Sequence, residues 1–112
     1  MDRLEQYHQL IPKIIMAHTE VPYADGEITF ETFFDREADR YLLMLVGWEA
    51  NGKRVHGSLI HIDILDRKIW IQRDGTEYGV ARELLDAGVP KEDIVLAFHP
   101  PEVRQDAELT AA

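Results

Sequence analysis

The chain has no cysteine. That excludes disulfides, thiolate metal sites and a cysteine nucleophile, and the composition fits a reducing cytoplasm. No run of about 18 apolar residues occurs, so no membrane span is expected. The first ten residues, MDRLEQYHQL, are acidic and amphipathic, unlike a secretory leader. Serine is nearly absent: Ser58 is the sole one, and it lacks the glycine-serine-glycine elbow of a hydrolase. Positive charge is scarce as well. Twelve Lys and Arg face 21 Asp and Glu, for a formal net charge of −9. The deficit is even: residues 1–56 carry 6 basic and 10 acidic side chains, residues 57–112 carry 6 and 11. Neither half hides a basic module of the kind nucleic-acid binding requires.

What is present reads as one domain of 112 residues. No internal repeat, low-complexity stretch or linker interrupts it. Asp2 to Thr19 carries Leu4, Tyr7, Ile11, Ile14, Ile15 and His18 at helical spacing. Pro12 lies inside and costs roughly 3 kcal/mol in a helix interior. The apolar stripe keeps its phase through it, so one kinked helix is expected. Val21 to Gly26 is a loop ending in an Asp-Gly turn. Glu27 to Asp35 alternates, with Ile28, Phe30, Thr32 and Phe34 on one side. Tyr41 to Glu49, YLLMLVGWE, is apolar on both faces.

Asn51-Gly52 is a strong hairpin signal. The strand Arg54 to Leu65 then puts His56, Ser58, Ile60, Ile62 and Ile64 on one face. Val55, Gly57, Leu59, His61, Asp63 and Leu65 take the other. Asp66-Arg67 turns the chain into Lys68 to Asp74. Asp74 and Glu77 have capping-box spacing, so a second helix is expected to start at once. Val80, Ala81, Leu84 and Leu85 form its apolar stripe, and Gly88 and Pro90 end it. Ile94 to Phe98 reads as a short buried strand that His99-Pro100-Pro101 stops. After the prolines, Glu102-Val103-Arg104 reads as a rigid charged segment.

The expected fold is α+β, in the order α-β-β-β-β-α-β. It has an antiparallel meander, a fifth strand after the second helix, and both helices on one sheet face. Two helices leave the second face bare. That face is expected to carry some of Leu43, Leu45, Leu59, Trp48 and Trp70, and apolar surface of that size marks a contact site. Self-association or a protein partner is therefore expected. Trp48, Leu59, His61 and Trp70 are the expected contact residues, because aromatic side chains carry interface energy disproportionately.

Catalytic and metal constellations are weak. His56 and His61 are five apart on one strand and point oppositely. His61 and Asp63 share a face, which reads more simply as a polar pair than as an oriented general base. Asp63, Asp66 and Lys68 resemble the end of a metal-dependent nuclease signature, but Asp66 falls in a turn and no second acid converges. Gly75 and Gly79 flank a helix start where phosphate could sit, yet Glu77 lies between them and repels anions. No catalytic residue, metal ligand or cofactor is assigned. Lys53, Arg54, Arg67 and Lys68, at two hairpin tips, are the one set that could touch DNA directly.

Several stretches together resemble a known family. VPYADGEI, KIWIQ with Asp74-Gly75-Thr76-Glu77, and Gly88-Val89-Pro90 through Pro100-Pro101-Glu102-Val103-Arg104 resemble the XisI family, the fdxN element excision controlling factors of cyanobacteria. The likeness runs from the first helix through Arg104. It implies a non-enzymatic accessory factor in the developmentally regulated excision of a DNA element from a nitrogen-fixation operon during heterocyst development. A separate site-specific recombinase cleaves the strands. The implied partners are that recombinase or a companion controlling factor, XisH, and the acidic balance fits contact with a basic protein. Direct binding to DNA through the hairpin tips is the alternative.

Overall fold

Strand pairing, rather than helix packing, sets this molecule's frame. The computed structural model describes residues 3–21 and 26–101. The elements are α1 (Arg3–His18), β1 (Glu27–Asp35), β2 (Arg40–Trp48), β3 (Arg54–Leu65), β4 (Lys68–Asp74), α2 (Val80–Asp86) and β5 (Ile94–Leu96). A single 3₁₀ turn, Lys91–Asp93, precedes β5. The five strands lie in the order β1-β2-β3-β4-β5. The first four form an antiparallel meander, and β5 adds parallel to β4 after the α2 crossover. This is the expected α+β order. The Glu102 to Arg104 segment, Asp2 and most of the Val21–Gly26 loop lie outside the described residues. Among the described residues no helix is long and apolar enough to cross a membrane.

α1 runs through Pro12 as one helix, and Tyr7, Ile11, Ile14 and Ile15 are buried on a single stripe. They meet Tyr41, Leu43, Ile60, Ile62, Ile64, Ile69 and Ile71 of the sheet, and Val80, Ala81 and Leu84 of α2, in one cluster. Both helices therefore cover the same face. Burying each isoleucine of this set contributes roughly 1.5–3 kcal/mol, so the covered face carries most of the stability. Polar ties fix how α1 sits on it. His8 Nε2 lies 2.7 Å from Asp39 Oδ1, and His18 Nε2 lies 2.8 Å from Glu83 Oε2 on α2. The Tyr7 hydroxyl donates to Asp93 Oδ2, beside Arg3.

Two ladder irregularities change the expected faces. Leu43 pairs with Ile60 but Met44 pairs with Ser58, so Leu59 is an extra residue in β3. His61 pairs with Arg73 but Ile62 pairs with Ile71, so Gln72 is extra in β4. A bulge reverses the alternation beyond it. His56 and Ser58 consequently lie opposite Val46 and Met44, away from the isoleucines whose face they were expected to share. Val55 and Gly57 move to the helix side. Leu59 itself packs against the core cluster instead of facing outward. Its carbonyl accepts the Gly75 N–H at 2.8 Å, and its Cδ1 would stand 2.9 Å from a Cβ at Gly75.

The expected capping box also gives way. α2 begins at Val80, not directly after Gly75, and Glu77 is exposed. Asp74 works from farther back. Its Oδ2 accepts the Val80 N–H at 2.7 Å, and its Oδ1 accepts the Thr76 N–H and hydroxyl at 2.9 and 2.6 Å. The C-terminus follows the sequence reading. Val89 N–H bonds Leu84 C=O and Gly88 N–H bonds Leu85 C=O, with Gly88 at φ 97°. That is the Schellman closure, for which glycine is the natural residue. β5 is shorter than expected: it stops at Leu96, a turn follows, and Phe98 is exposed.

Candidate functional site

The uncovered face of the sheet is the candidate site. Partners across a ladder share a face, so the register sorts the side chains. Tyr41, Leu43 and Leu45 are buried on the helix side. Leu42, Met44, Val46 and Trp48 therefore project from β2 to the other side, and only Trp48 among them is classed as exposed. β1 adds Thr29, Glu31, Phe33 and Asp35. β3 adds Arg54, His56, Ser58, His61, Asp63 and Leu65. β4 adds Lys68, Trp70 and Arg73, and β5 adds Val95.

Of the expected contact residues, Trp48, His61 and Trp70 lie on this face and Leu59 does not. Leu43 and Leu45 also belong to the core. The apolar band is carried by Leu42, Met44 and Val46, which the sequence reading did not single out. Their signal was available: in YLLMLVGWE they sit in the phase opposite to Tyr41, Leu43 and Leu45. With both phases apolar, the sequence alone does not say which one the helices take.

Asp63 is the buried charge of the face, at 7% exposure. His61 Nε2 lies 3.0 Å from its Oδ1, Arg40 Nε lies 3.4 Å from the same oxygen, and Gln72 Nε2 donates to Oδ2 at 3.4 Å. The extra residue in β4 is thus the one that reaches this carboxylate. Buried carboxylates need such partners, because an unpaired one is strongly disfavoured away from water. Trp70 Nε1 donates to the Leu65 carbonyl at 3.1 Å, which fixes the indole along the strand. At the other end Arg54 stacks over the Trp48 ring, 5.0 Å from its centroid. A hollow of about 530 Å³ opens at the β1–β2 turn, lined in part by Phe33, Leu42 and Arg40.

The chemistry weighed from sequence is not assembled. Asp66 sits in the β3–β4 turn at φ 53°, while Asp63 is engaged with Arg40, His61 and Gln72 on the sheet. Among the described residues no group of three His, Asp or Glu side chains could hold a metal ion. The N-terminus of α2 is occupied by the chain's own Asp74 carboxylate. Lys53 and Arg54 stand at one end of β3 and Arg67 and Lys68 at the other. Twelve residues of strand separate the pairs, roughly 40 Å at the usual rise. The four cations therefore form two tips, not one patch.

The comparisons with known proteins agree with one another. The family model described as "XisI protein" matches residues 1–111. A crystal structure of a XisI-like protein from Anabaena variabilis is similar, with TM-score 0.85 and 35% identity. That match covers 97% of this chain and 99% of the other. The crystal structure of the fdxN element excision controlling factor XisI from the same organism gives TM-score 0.79 and 32% identity. It covers 95% of this chain and 96% of that one. No match occurs among curated proteins. With the family model spanning almost every residue, and two relatives sharing both sequence and this α+β architecture, the chain belongs to the XisI family.

Proposed function

We propose that this protein is a non-enzymatic controlling factor for excision of the fdxN DNA element, and that it works through protein contacts made by the open face of its sheet. The excision role is brought by the family and by the similar XisI structure that carries that description. The observation that supports the mode of action is the bare apolar band. Leu42, Met44, Val46 and Trp48 line one face that neither helix covers, between charged strands on either side. A contiguous apolar strip rimmed by polar side chains is the usual form of a protein contact. The acidic balance of the chain directs it to a basic partner, either the companion controlling factor of the XisH type or the recombinase.

The test is an excision assay on a plasmid bearing the element, with the recombinase and companion factor supplied. Wild-type protein raises the yield of excised circle. Val46→Asp, which places a charge in the band without touching the core, removes that stimulation while circular dichroism stays unchanged. A folded Val46→Asp protein that stimulates as well as wild type overturns the reading.

A further inference from the structure

β1 is the long edge of the sheet. β5, at the other edge, has three residues, whereas β1 pairs with β2 along all nine, Glu27 to Asp35, without a bulge. Backbone groups in an antiparallel ladder point alternately to one neighbour and to the other. Glu49 N–H bonds the Lys53 carbonyl at 2.8 Å, and Ile64 N–H bonds the Asp39 carbonyl at 2.9 Å, so odd positions at both ends of β2 face β3. The even positions of β2 face β1, opposite Glu27, Thr29, Glu31, Phe33 and Asp35. Ile28, Phe30, Thr32 and Phe34 therefore turn their N–H and C=O outward, and no described backbone group meets them there. Their side chains lie on the helix side, where Phe34 is still 39% exposed. The open side of β1 carries three carboxylates and no cation. Across the ladder Glu27 and Glu31 face Trp48 and Met44, and among the described residues neither has an ion-pair partner. Asp35 faces Arg40, which is turned to Asp63.

We infer that β1 takes up an extended segment of the partner protein as an added strand, with Lys or Arg on the open side and apolar side chains on the helix side. This rests on the reading of the open face as a protein-contact surface, which the added strand extends beyond β1. A free edge supplies main-chain bonds for affinity, and the alternate side chains along it decide which strand is accepted. A cation opposite a carboxylate is favourable in a ladder, and like charges opposite each other are not. A second copy of β1 is disfavoured on that ground: antiparallel pairing centred on Glu31 sets Glu31 against Glu31 and Glu27 against Asp35. The same carboxylates repel a nucleic-acid backbone. A basic strand instead gives Glu27 and Glu31 the cations that they lack, and its apolar side covers Phe34. The hollow at the β1–β2 turn fits a long basic side chain at the end of that strand. Phe33, Asp35 and Glu37 line it, and its two arginines are already engaged, Arg36 with Glu5 and Arg40 with Asp63.

The probe is a synthetic peptide as long as β1 that alternates lysine with valine. One control carries glutamate in place of lysine, and another keeps the lysines but is N-methylated along its backbone, which removes its ladder donors. Fluorescence anisotropy gives the affinities, and amide exchange followed by NMR gives the place. The lysine peptide binds, the glutamate peptide does not, and the N-methylated peptide binds about tenfold more weakly. Binding slows exchange at Phe30, Thr32 and Phe34, whose N–H groups point outward, and leaves Thr29, Glu31 and Phe33 as they were. Thr32→Pro removes one outward donor without touching the β1–β2 bonds, and Glu31→Lys reverses one charge without touching the backbone. Each weakens the lysine peptide about fivefold or more. No binding at several hundred micromolar, equal binding of the N-methylated peptide, or outward amides that exchange no more slowly with peptide bound would overturn the proposal. The excision assay separates its failure from that of the functional reading. A lysine peptide that does not bind, with stimulation still lost in Val46→Asp, removes the added strand only. A Val46→Asp protein that stimulates like wild type, with the peptide still slowing the β1 amides, removes the excision reading and leaves the edge site standing.

Discussion

Asp63 and Tyr7 show how single side chains are held here. Asp63 gathers His61, Arg40 and Gln72 around one carboxylate beside the apolar band of β2. Removing it strands those donors in a half-buried site, and leaving such groups unmet costs about 1–3 kcal/mol. Asp63→Ala is expected to lose that much in urea unfolding, with Asp63→Asn losing less because one amide oxygen can still accept. Tyr7 is the second case. Burial, then its hydrogen bond to Asp93 and that carboxylate's charge, push its phenol well above the ordinary 10.0. The fold therefore favours the protonated phenol. The stability this supplies is complete below pH 10 and falls as pH rises through and beyond the ordinary value. Tyr7→Phe should be less stable than wild type at pH 8, and the gap should shrink by pH 11. A gap that stays constant would show that Tyr7 does not couple to alkaline unfolding. Burial beside Asp39 also raises Tyr41, but Tyr41 is common to both proteins and cancels.

Among the elements, the strands were the most legible from sequence and the bulges the least. Alternation located Glu27–Asp35 and Arg54–Leu65 to the residue, because one-sided burial writes a period of two into the chain. The same alternation misplaced His56, Ser58 and Leu59, because an extra residue shows only against the partner strand that skips it. The start of α2 failed for a related reason. Asp74 does cap, as its spacing suggested, but it reaches forward to Val80 across an intervening turn. Glu77, the other half of the expected box, is exposed. Asp74→Ala is therefore expected to destabilise by about 1–2 kcal/mol, the usual range for losing a cap. Glu77→Ala should change stability by no more than about 0.5 kcal/mol. Equal effects from the two in thermal unfolding would restore the capping box.

For the molecule as a whole, one sheet face carries the stability and the other is left uncovered. The covered face joins α1, α2 and every strand except β1 through buried side chains. The bare face keeps Trp48, Phe33 and Leu65 about half exposed, at 51%, 52% and 47%. That a face would be left bare was legible from the count of helices. Which residues line it was legible only in part, because β2 is apolar in both phases and the register decides between them. The XisI likeness was legible from the quoted motifs and is independent of that choice.

Methionine oxidation in solution reports whether the open face is covered by a protein contact. Met44 lies in the outward band of β2, whereas Met16 is exposed on α1 and serves as an internal control. Both are read by mass spectrometry after brief peroxide exposure, at low and high protein concentration and with the companion controlling factor added. Met44 is expected to become protected relative to Met16 as the protein is concentrated or the companion is bound. Met44 reacting at the same rate relative to Met16 under every condition would contradict it.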